Sequence, residues 1–392
     1  MTRQLSSDYF TKERHLHAIR SFTLSLRSGV PVHYFMKNTY FTPGPAELYP
    51  TFARHLQTAM DEQIGSISHR SQRFRDIYKF TDEQLRTLLN IPATHGIFFT
   101  GSASEVWERV LLNCVEHESF HLVNGSFSRK FFDYASSLHK YAHVLEKPFG
   151  EGFDSGDIEV PEYAELVCLT HNETSSGVQM RPADMHKLKR KYPKKLFVVD
   201  MVSSAPHPNL DFNLIDSAFF SVQKAFGMPA GLGVWIANQA CLAKAERLQK
   251  YESITTGAHH TLPTLWKHYQ TFETPATPNV LYIYLLGKIA QDFNKIGIDT
   301  IRKQTEEKAR MLYKFLDDSE GYQPFVTEER HRSQTVIVAT KKDPANVLAT
   351  AKQAGMIVGS GYDSFKDSQI RIANFPAVST DQVQALLTLL NK

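Results

Sequence analysis

Asp216-Ser217-Ala218-Phe219-Phe220-Ser221-Val222 is a short, mainly apolar run that ends at Gln223-Lys224 and is followed by glycines at 227, 231 and 233. Lysine is rarely buried without a partner, so this position predicts either a reactive amine or a side chain that reaches solvent at the edge of a sheet. A buried lysine has a lowered pKa and offers a nucleophilic amine of the kind that condenses with aldehydes. The glycines permit close backbone approach, but they do not form the GxGxxG pattern of a dinucleotide-binding fold.

Similar short apolar runs recur along the chain in both directions from this stretch. The runs are residues 97–99, 119–124, 165–170, 195–200, 216–222 and 232–236. Helix-length polar stretches separate them, and residues 72–90 carry apolar side chains at helical spacing. This alternation predicts an α/β fold of three layers, in which helices cover both faces of a mostly parallel central sheet.

The C-terminal part of the chain has a different pattern, which begins with a long helical region at residues 279–317. The shorter elements predicted after it are strands at 335–340 and 369–373 and helices at 344–354 and 380–391. We therefore predict a large domain at residues 36–285 and a smaller α+β domain at residues 286–392.

Residues 1–35 mix Ser, Arg and His with short apolar fragments that show no sustained period. They lack the continuous apolar segment of a secretory signal, and Asp8 and Glu13 argue against a transit peptide. We expect either a disordered extension or a start assigned too early, with the true initiator at Met36.

The composition excludes several classes of protein. The 392 residues carry 44 Lys and Arg against 41 Asp and Glu, and this net charge of +3 is too small for a nucleic-acid or membrane-surface footprint. No run reaches the roughly 18 apolar residues of a membrane span. Three cysteines without CxxC spacing encode neither a disulfide framework nor a thiolate zinc site, which favours a reducing, cytoplasmic compartment. The histidine pairs 15/17 and 259/260 lack a carboxylate frame in the sequence, so we predict no metal site.

Polar residues follow four of the predicted strands, where the ligands of open parallel sheets bind. The turn Gly101–Glu105 is suited either to a phosphate at a helix N-terminus or to an ordinary serine cap. Asp200 could cap the next helix or stabilise a cationic heterocycle, and His171–Gly177 adds hydrogen-bonding groups. Together with Lys224, an anion site and a carboxylate are what pyridoxal 5'-phosphate requires.

At these residues the chain resembles the class V aminotransferases of fold-type I, and within them the phosphoserine aminotransferase branch. The resemblance extends from Phe41 to the C-terminus. The stretches that carry it are Phe41-Thr42-Pro43-Gly44-Pro45-Ala46, Ser68-His69-Arg70, Asn172-Glu173-Thr174 with Gly177, Asp200 with Ser203-Ser204, Gln223-Lys224 with Gly227, Thr274-Pro275-Ala276-Thr277 and Arg371-Ile372-Ala373-Asn374.

The resemblance implies a transaminase that moves an amino group between an amino acid and a 2-oxo acid, of the phosphoserine:2-oxoglutarate type, in serine biosynthesis. It also implies a homodimer with shared active sites. The implied catalytic residues are Lys224, bonded to the cofactor aldehyde, and Asp200, paired with its pyridine nitrogen. The other implied cofactor contacts are Ala103, Ser104 and Gln223 at the phosphate, Thr274 from the partner subunit, Thr174 at the ring oxygen and Phe127 on the ring face, where the family usually has Trp. Substrate would bind Arg371, Arg70 and His69.

Three departures from the family pattern affect the expected substrate. Ser104 stands where the family has Arg, Ser364-Phe365 replaces a His-Arg pair that grips the substrate phosphate, and Glu273 replaces an interface Asn. Lys366, Arg70 or His69 could compensate for the lost charge. The alternative is an alanine or serine aminotransferase that uses glyoxylate or pyruvate and requires only a carboxylate-binding arginine.

Rival interpretations from other classes predict different properties. A cysteine desulfurase would require a reactive cysteine well after the lysine, and none follows Cys241. A sugar- or nucleotide-binding α/β domain would be colourless, whereas a lysine bonded to the cofactor aldehyde gives a yellow protein. A cofactor-binding protein without catalysis is the remaining alternative.

Overall fold

The computed structural model describes residues 38–251 and 254–391. The strands are β1 (Thr39–Phe41), β2 (His95–Thr100), β3 (Glu118–Val123), β4 (Tyr141–Glu146), β5 (Leu166–Thr170), β6 (Asn172–Glu173), β7 (Val178–Gln179), β8 (Leu196–Asp200), β9 (Ser217–Ser221), β10 (Gly233–Asn238), β11 (Gln323–Pro324), β12 (Val336–Thr340), β13 (Met356–Ser360) and β14 (Gln369–Ala373). The α-helices are α1 (Phe52–Asp61), α2 (Gln72–Leu89), α3 (Ala103–Cys114), α4 (Ser126–Ser137), α5 (Pro182–Lys191), α6 (Gln239–Leu248), α7 (Leu262–Tyr269), α8 (Val280–Ile296), α9 (Ile298–Asp318), α10 (Pro344–Gln353) and α11 (Thr380–Leu390).

A seven-stranded sheet forms the centre of the molecule, in the order β2-β10-β9-β8-β5-β3-β4. Among these strands only β10 is antiparallel to its neighbours, so the prediction of a mostly parallel sheet is confirmed. The six apolar runs identified in the sequence are the six strands other than β4.

Alternate side chains of the central strands face opposite layers of helices. Val167 and Val199 pack in a core with residues of α2 and α8, whereas Cys168 and Val198 pack in a second core with residues of α3, α4 and α6. Because both faces are covered, each strand is apolar along most of its length. The three-layer α/β fold predicted from the sequence is therefore confirmed.

A second sheet has the order β1-β13-β14-β12-β11 and packs on α9, α10 and α11. Its edge strand β1 comes from the N-terminal side of the chain and runs parallel to β13. The long helical region predicted at 279–317 is two helices, α8 and α9, separated by Gly297 at φ +88°. A left-handed residue of this kind ends one helix and redirects the chain into the next.

The domain division at 285/286 stays a prediction, and residues 1–35 lie outside the described part of the chain. Cys114, Cys168 and Cys241 are buried free thiols. Within the described residues, no helix combines the length and the apolar character that crossing a membrane requires.

Candidate active site

The strand ends named in the sequence analysis lie at one edge of the central sheet. Thr100 pairs with Gly233, which pairs with Ser221, and Asp200 lies beside Phe219 and Thr170. Because β2, β5, β8 and β9 run in the same direction, their carboxyl ends meet there, at the edge where open α/β sheets bind ligands.

Lys224 lies just beyond the end of β9 and is 9% exposed. Its Nζ donates a hydrogen bond to the Pro43 carbonyl oxygen, and a Cβ on Gly44 (φ +130°) would lie 2.6 Å from its Cε. Burial, together with the charge on Arg371, lowers the pKa of Lys224 to about 8 against the opposing effect of the nearby Asp200 and Glu173. The amine is therefore partly neutral near physiological pH, as a nucleophile or base requires.

Asp200 ends β8, is 4% exposed and accepts two hydrogen bonds. The Trp107 indole Nε1 donates to its Oδ2 at 3.0 Å, and the Val202 backbone N–H donates to its Oδ1 at 3.0 Å. Burial raises the pKa of Asp200 to about 6, although both donors and Lys224 favour the charged form. Sequence analysis missed the contact of Trp107 with Asp200, which joins residues far apart in the chain.

The turn after β2 is capped in the ordinary way, one of the two alternatives that the sequence left open. Ser102 Oγ accepts from the Glu105 N–H at 3.3 Å, and Ala103 and Ser104 begin α3. Glu105 accepts from the Gly101 N–H at 2.8 Å and from His260 Nδ1 at 2.5 Å. The first N–H groups of α3 point out of the helix N-terminus, where an anion would bind.

Glu105, His259 and His260 bring three potential ligand atoms within 4.8 Å of one another. The sequence interpretation assumed that these histidines have no carboxylate frame, and that assumption is wrong because Glu105 approaches them from α3. The hydrogen bonds from His260 and Gly101 lower the pKa of Glu105 even though burial opposes the change. Glu105 and His260 thereby form a hydrogen-bonded pair beside the turn.

Phe127 lies in the first turn of α4, and its ring faces Lys224 Nζ at 5.9 Å from the ring centroid. Glu173 sets the position of this turn, since its carboxylate accepts from the backbone N–H groups of Phe127 and Ser128 and from two serine hydroxyls. Gly125 allows this approach, because a Cβ there would lie 2.3 Å from Glu173 Cγ. The sequence motif contains Glu173, but spacing alone does not reveal the helix that it caps.

Arg371, on β14 of the smaller sheet, lies near Lys224 and Phe127. Its Nε donates to the Ser360 carbonyl at 2.8 Å and its Nη1 to the Thr174 carbonyl at 3.3 Å. Its guanidinium carbon lies 5.2 Å from the centroid of the Tyr362 ring, which is 5.1 Å from the Phe127 ring. Burial lowers the pKa of Arg371 from its ordinary value, yet Arg371 remains a cation at neutral pH.

Arg70, His69 and Thr274 form a separate group. Arg70 donates to the Thr274 carbonyl at 3.1 Å and pairs with Glu273 at 3.4 Å, while Arg75 also pairs with Glu273. Burial lowers the pKa of His69, and the charge on Arg70 lowers it further. Within residues 38–251 and 254–391, no hydrogen bond or ion pair joins this group to Lys224 or Asp200.

The two replaced positions before Arg371 are not cationic, and the structure shows their surroundings. Ser364 is exposed, and Phe365 lies between two aromatic rings, with centroids 5.3 Å from Phe149 and 5.4 Å from Phe325. Position 365 therefore contributes to aromatic packing. Lys366, which the sequence analysis considered as a compensating charge, is exposed.

The residues present fit pyridoxal 5'-phosphate. A buried amine, a buried carboxylate and a helix N-terminus lie along one sheet edge, as described above. Two buried polar atoms, Gln223 Oε1 and Thr274 Oγ1, have no hydrogen-bond partner within the described part of the chain. Buried polar atoms of this kind are normally paired, so these two are available to a bound group. A cleft elsewhere, lined by residues such as His186 and Phe212, contains none of the predicted site residues.

Comparison with known proteins agrees with this geometry. The family model of class V aminotransferases matches residues 157–386. A phosphoserine aminotransferase structure from Cytophaga hutchinsonii is 47% identical, with a TM-score of 0.88, and the match covers 90% of this chain and 98% of that chain. The phosphoserine aminotransferase of Rhodococcus opacus (strain B4) is 26% identical over 373 residues, which are 91% of this chain and 95% of the relative.

An alanine–glyoxylate aminotransferase from Nostoc sp. is 18% identical with a TM-score of 0.77, and the match covers 94% of this chain and all of that chain (100%). At that identity the likeness shows the fold alone. The family model and the Cytophaga structure carry the assignment. The chain belongs to the class V aminotransferases, fold-type I enzymes that transfer amino groups with pyridoxal 5'-phosphate.

Proposed function

We propose that this aminotransferase exchanges the amino group between O-phosphoserine and 2-oxoglutarate. The observation that carries the proposal is the 47% identity with the Cytophaga phosphoserine aminotransferase over 98% of its chain. Arg371 supports it, because a guanidinium beside Lys224 suits the α-carboxylate that every amino-acid substrate carries. The proposal includes a cytoplasmic location and a role in serine biosynthesis.

The proposed roles of the chain's residues follow from their surroundings. When bound, pyridoxal 5'-phosphate supplies an electron sink for bond breaking at the substrate α-carbon. Lys224, with its lowered pKa, removes the α-proton and returns it. Asp200 would hold its charge toward the pyridine nitrogen, while Phe127 would cover the ring and Thr174 would contact the ring oxygen. Ala103, Ser104 and Gln223 would hold the phosphate.

The proposed active enzyme is a homodimer. Arg70, His69 and Thr274 form a group of their own, and the family resemblance assigns Thr274 to the cofactor phosphate of the partner subunit. A Thr274 hydroxyl that is buried without a hydrogen-bond partner in the described residues is consistent with a ligand supplied from outside the chain.

The alternative substrate class is alanine or serine, with glyoxylate or pyruvate as acceptor. One observation favours it: Ser364 and Phe365 provide no cation at the positions where the family binds the substrate phosphate. Arg371 alone would satisfy a substrate with a single carboxylate.

Single-turnover rates of the purified holoenzyme with O-phosphoserine, glutamate, alanine and serine distinguish the two. We expect O-phosphoserine and glutamate to react at least about tenfold faster than alanine, since charge-assisted contacts to a second acidic group favour them. Faster reaction with alanine or serine would contradict the proposal.

Lys224→Ala tests the underlying chemistry. This variant should bind the cofactor yet show no transamination, because it lacks the Lys224 amine, which serves both as the nucleophile and as the base. Normal turnover in the variant would contradict the role of Lys224.

A further inference from the structure

Lys130, on the second turn of α4, lies against both aromatic rings of the site. Its Nζ donates a hydrogen bond to the Tyr362 hydroxyl at 2.8 Å. The same atom lies 5.3 Å from the centroid of the Phe127 ring and 5.4 Å from that of the Tyr362 ring. The resemblance and the motifs of the sequence analysis assign Lys130 no role.

The two rings connect Lys130 to the groups that would hold the substrate. Lys224 Nζ lies 5.9 Å from the centroid of the Phe127 ring, and the Arg371 guanidinium carbon lies 5.2 Å from the centroid of the Tyr362 ring. Lys130 and Arg371 are thus two cations on one tyrosine ring, and the reactive lysine lies beside the adjoining phenylalanine.

Neither cation is neutralised by the described part of the chain. No carboxylate oxygen there lies within ion-pair distance (4.0 Å) of Lys130 or Arg371. Arg371 uses its Nε and Nη1 on carbonyl oxygens, which carry no net charge. The nearby Glu173 carboxylate already accepts hydrogen bonds from the first turn of α4 and from Ser175. Two cations without counter-ions in one site favour a ligand with two anionic groups.

We infer that Lys130 binds the second acidic group of the substrate, the phosphate of O-phosphoserine or the side-chain carboxylate of glutamate, while Arg371 binds the α-carboxylate. This inference rests on the proposed function and names the residue that provides its specificity. In this role Lys130 also compensates for the absence of cations at positions 364 and 365. Lys130 lies on α4 and contacts Tyr362, which is two residues before Ser364. The Tyr362 hydroxyl orients the ammonium group without neutralising it.

The test measures the ratio of kcat/KM for O-phosphoserine to kcat/KM for alanine, and the same ratio for glutamate to alanine. In Lys130→Met, which keeps the apolar stem, we expect the O-phosphoserine ratio to fall about 10- to 100-fold, mainly through KM, since a charge-assisted contact is lost. Lys130→Arg should restore the ratio to within about threefold of wild type, because it keeps the cation. Lys79→Met, which removes an exposed helical lysine on α2, is the matched control.

A binding measurement adds a readout that does not depend on turnover. Calorimetric titration with O-phosphoserine compares the Lys224→Ala variant with the double variant that also carries Lys130→Met. We expect the double variant to bind O-phosphoserine about 10-fold more weakly or worse. The contribution of Lys130 should also weaken as salt is raised, because Lys130 is exposed. The absorbance of the bound cofactor confirms that each variant is folded and loaded.

Each outcome decides one question. If wild type reacts with O-phosphoserine but Lys130→Met leaves both ratios unchanged, the inference is wrong. If Lys130→Met lowers kcat/KM for all three amino donors equally, Lys130 only supports Phe127, and the inference is again wrong. If wild type rejects O-phosphoserine while the glutamate ratio still falls in Lys130→Met, the proposed substrate is wrong but the role of Lys130 in binding a second anion stands.

Discussion

Asp200 is a buried carboxylate whose protonation state depends on two N–H donors. Burial raises its pKa to about 6 even though the Trp107 indole, which donates to Oδ2 at 3.0 Å, favours the charged form. A group with a pKa near 6 is mainly ionised at pH 7.5 and mainly protonated at pH 5. Activity that needs the charged form is therefore lost as the pH falls through about 6.

Trp107→Phe removes that donor while keeping an aromatic ring against Phe131, whose centroid lies 5.9 Å away. Losing a hydrogen bond to the charged form raises the pKa of Asp200, so the acid limb of the kcat/KM profile should move upward by about one pH unit. The profile between pH 5 and 9 measures this. Trp235→Phe, which loses a buried indole hydrogen bond to Ser217, is the control and should leave the limb in place. An unmoved limb in Trp107→Phe would show that Trp107 only packs.

At the scale of elements, α4 depends on a carboxylate from another part of the chain. Glu173 accepts from the Ser128 N–H at 2.8 Å and from the Phe127 N–H at 3.2 Å, at the positive end of the helix dipole. Glu173→Gln removes the charge and places an amide NH₂ against these donors. We expect a loss of about 2 kcal/mol in the free energy of unfolding.

Denaturant unfolding of the holoenzyme measures this loss, with Glu159→Gln as the control. Glu159 pairs with Lys191 at the surface, so its replacement should leave the free energy of unfolding unchanged within experimental error. Equal stability of Glu173→Gln and wild type would contradict the capping role of Glu173.

The elements also show what sequence could predict. The central strands were found because burial on both faces requires continuous apolar runs. The edge strand β4 was missed, since its residues are half-buried or exposed and form no such run. β13 was missed as well, because its five residues are only partly apolar and only partly buried.

For the site, the positions of Asp200 and Lys224 could be predicted from the ends of the strands, since parallel strands bring their carboxyl ends to one edge. The contacts of Trp107 with Asp200 and of Lys130 with Tyr362 join residues 93 and 232 positions apart. No local spacing encodes such pairs, because they depend on how helices pack on the sheet. Sequence therefore placed Asp200 and Lys224 at one edge of the sheet but did not reveal the residues that contact them.

At the scale of the whole molecule, the smaller sheet contributes two residues to the surroundings of Lys224. Arg371 lies on β14, and Pro43, whose carbonyl accepts from Lys224, lies two residues after the end of β1 in the same sheet. Gly359 on β13 allows this arrangement, because a Cβ there would lie 2.9 Å from the Pro43 ring. The proposed substrate contact of Arg371 and the position of the lysine amine thus both depend on one sheet.

The separate group of Arg70 and Thr274 leads to a prediction about assembly. If these residues complete the site of a second copy, Lys224→Ala and Arg70→Ala carry defects in different halves of each shared site. Mixing the two inactive variants under conditions of subunit exchange should restore about a quarter of wild-type activity, because half of the dimers are mixed and each has one intact site. Differently tagged copies verify the exchange, and Lys224→Ala mixed with Lys79→Met should give about half of wild-type activity wherever the site is built. If verified exchange between the two inactive variants restores nothing, each site is built within one chain and the proposed shared dimer is wrong.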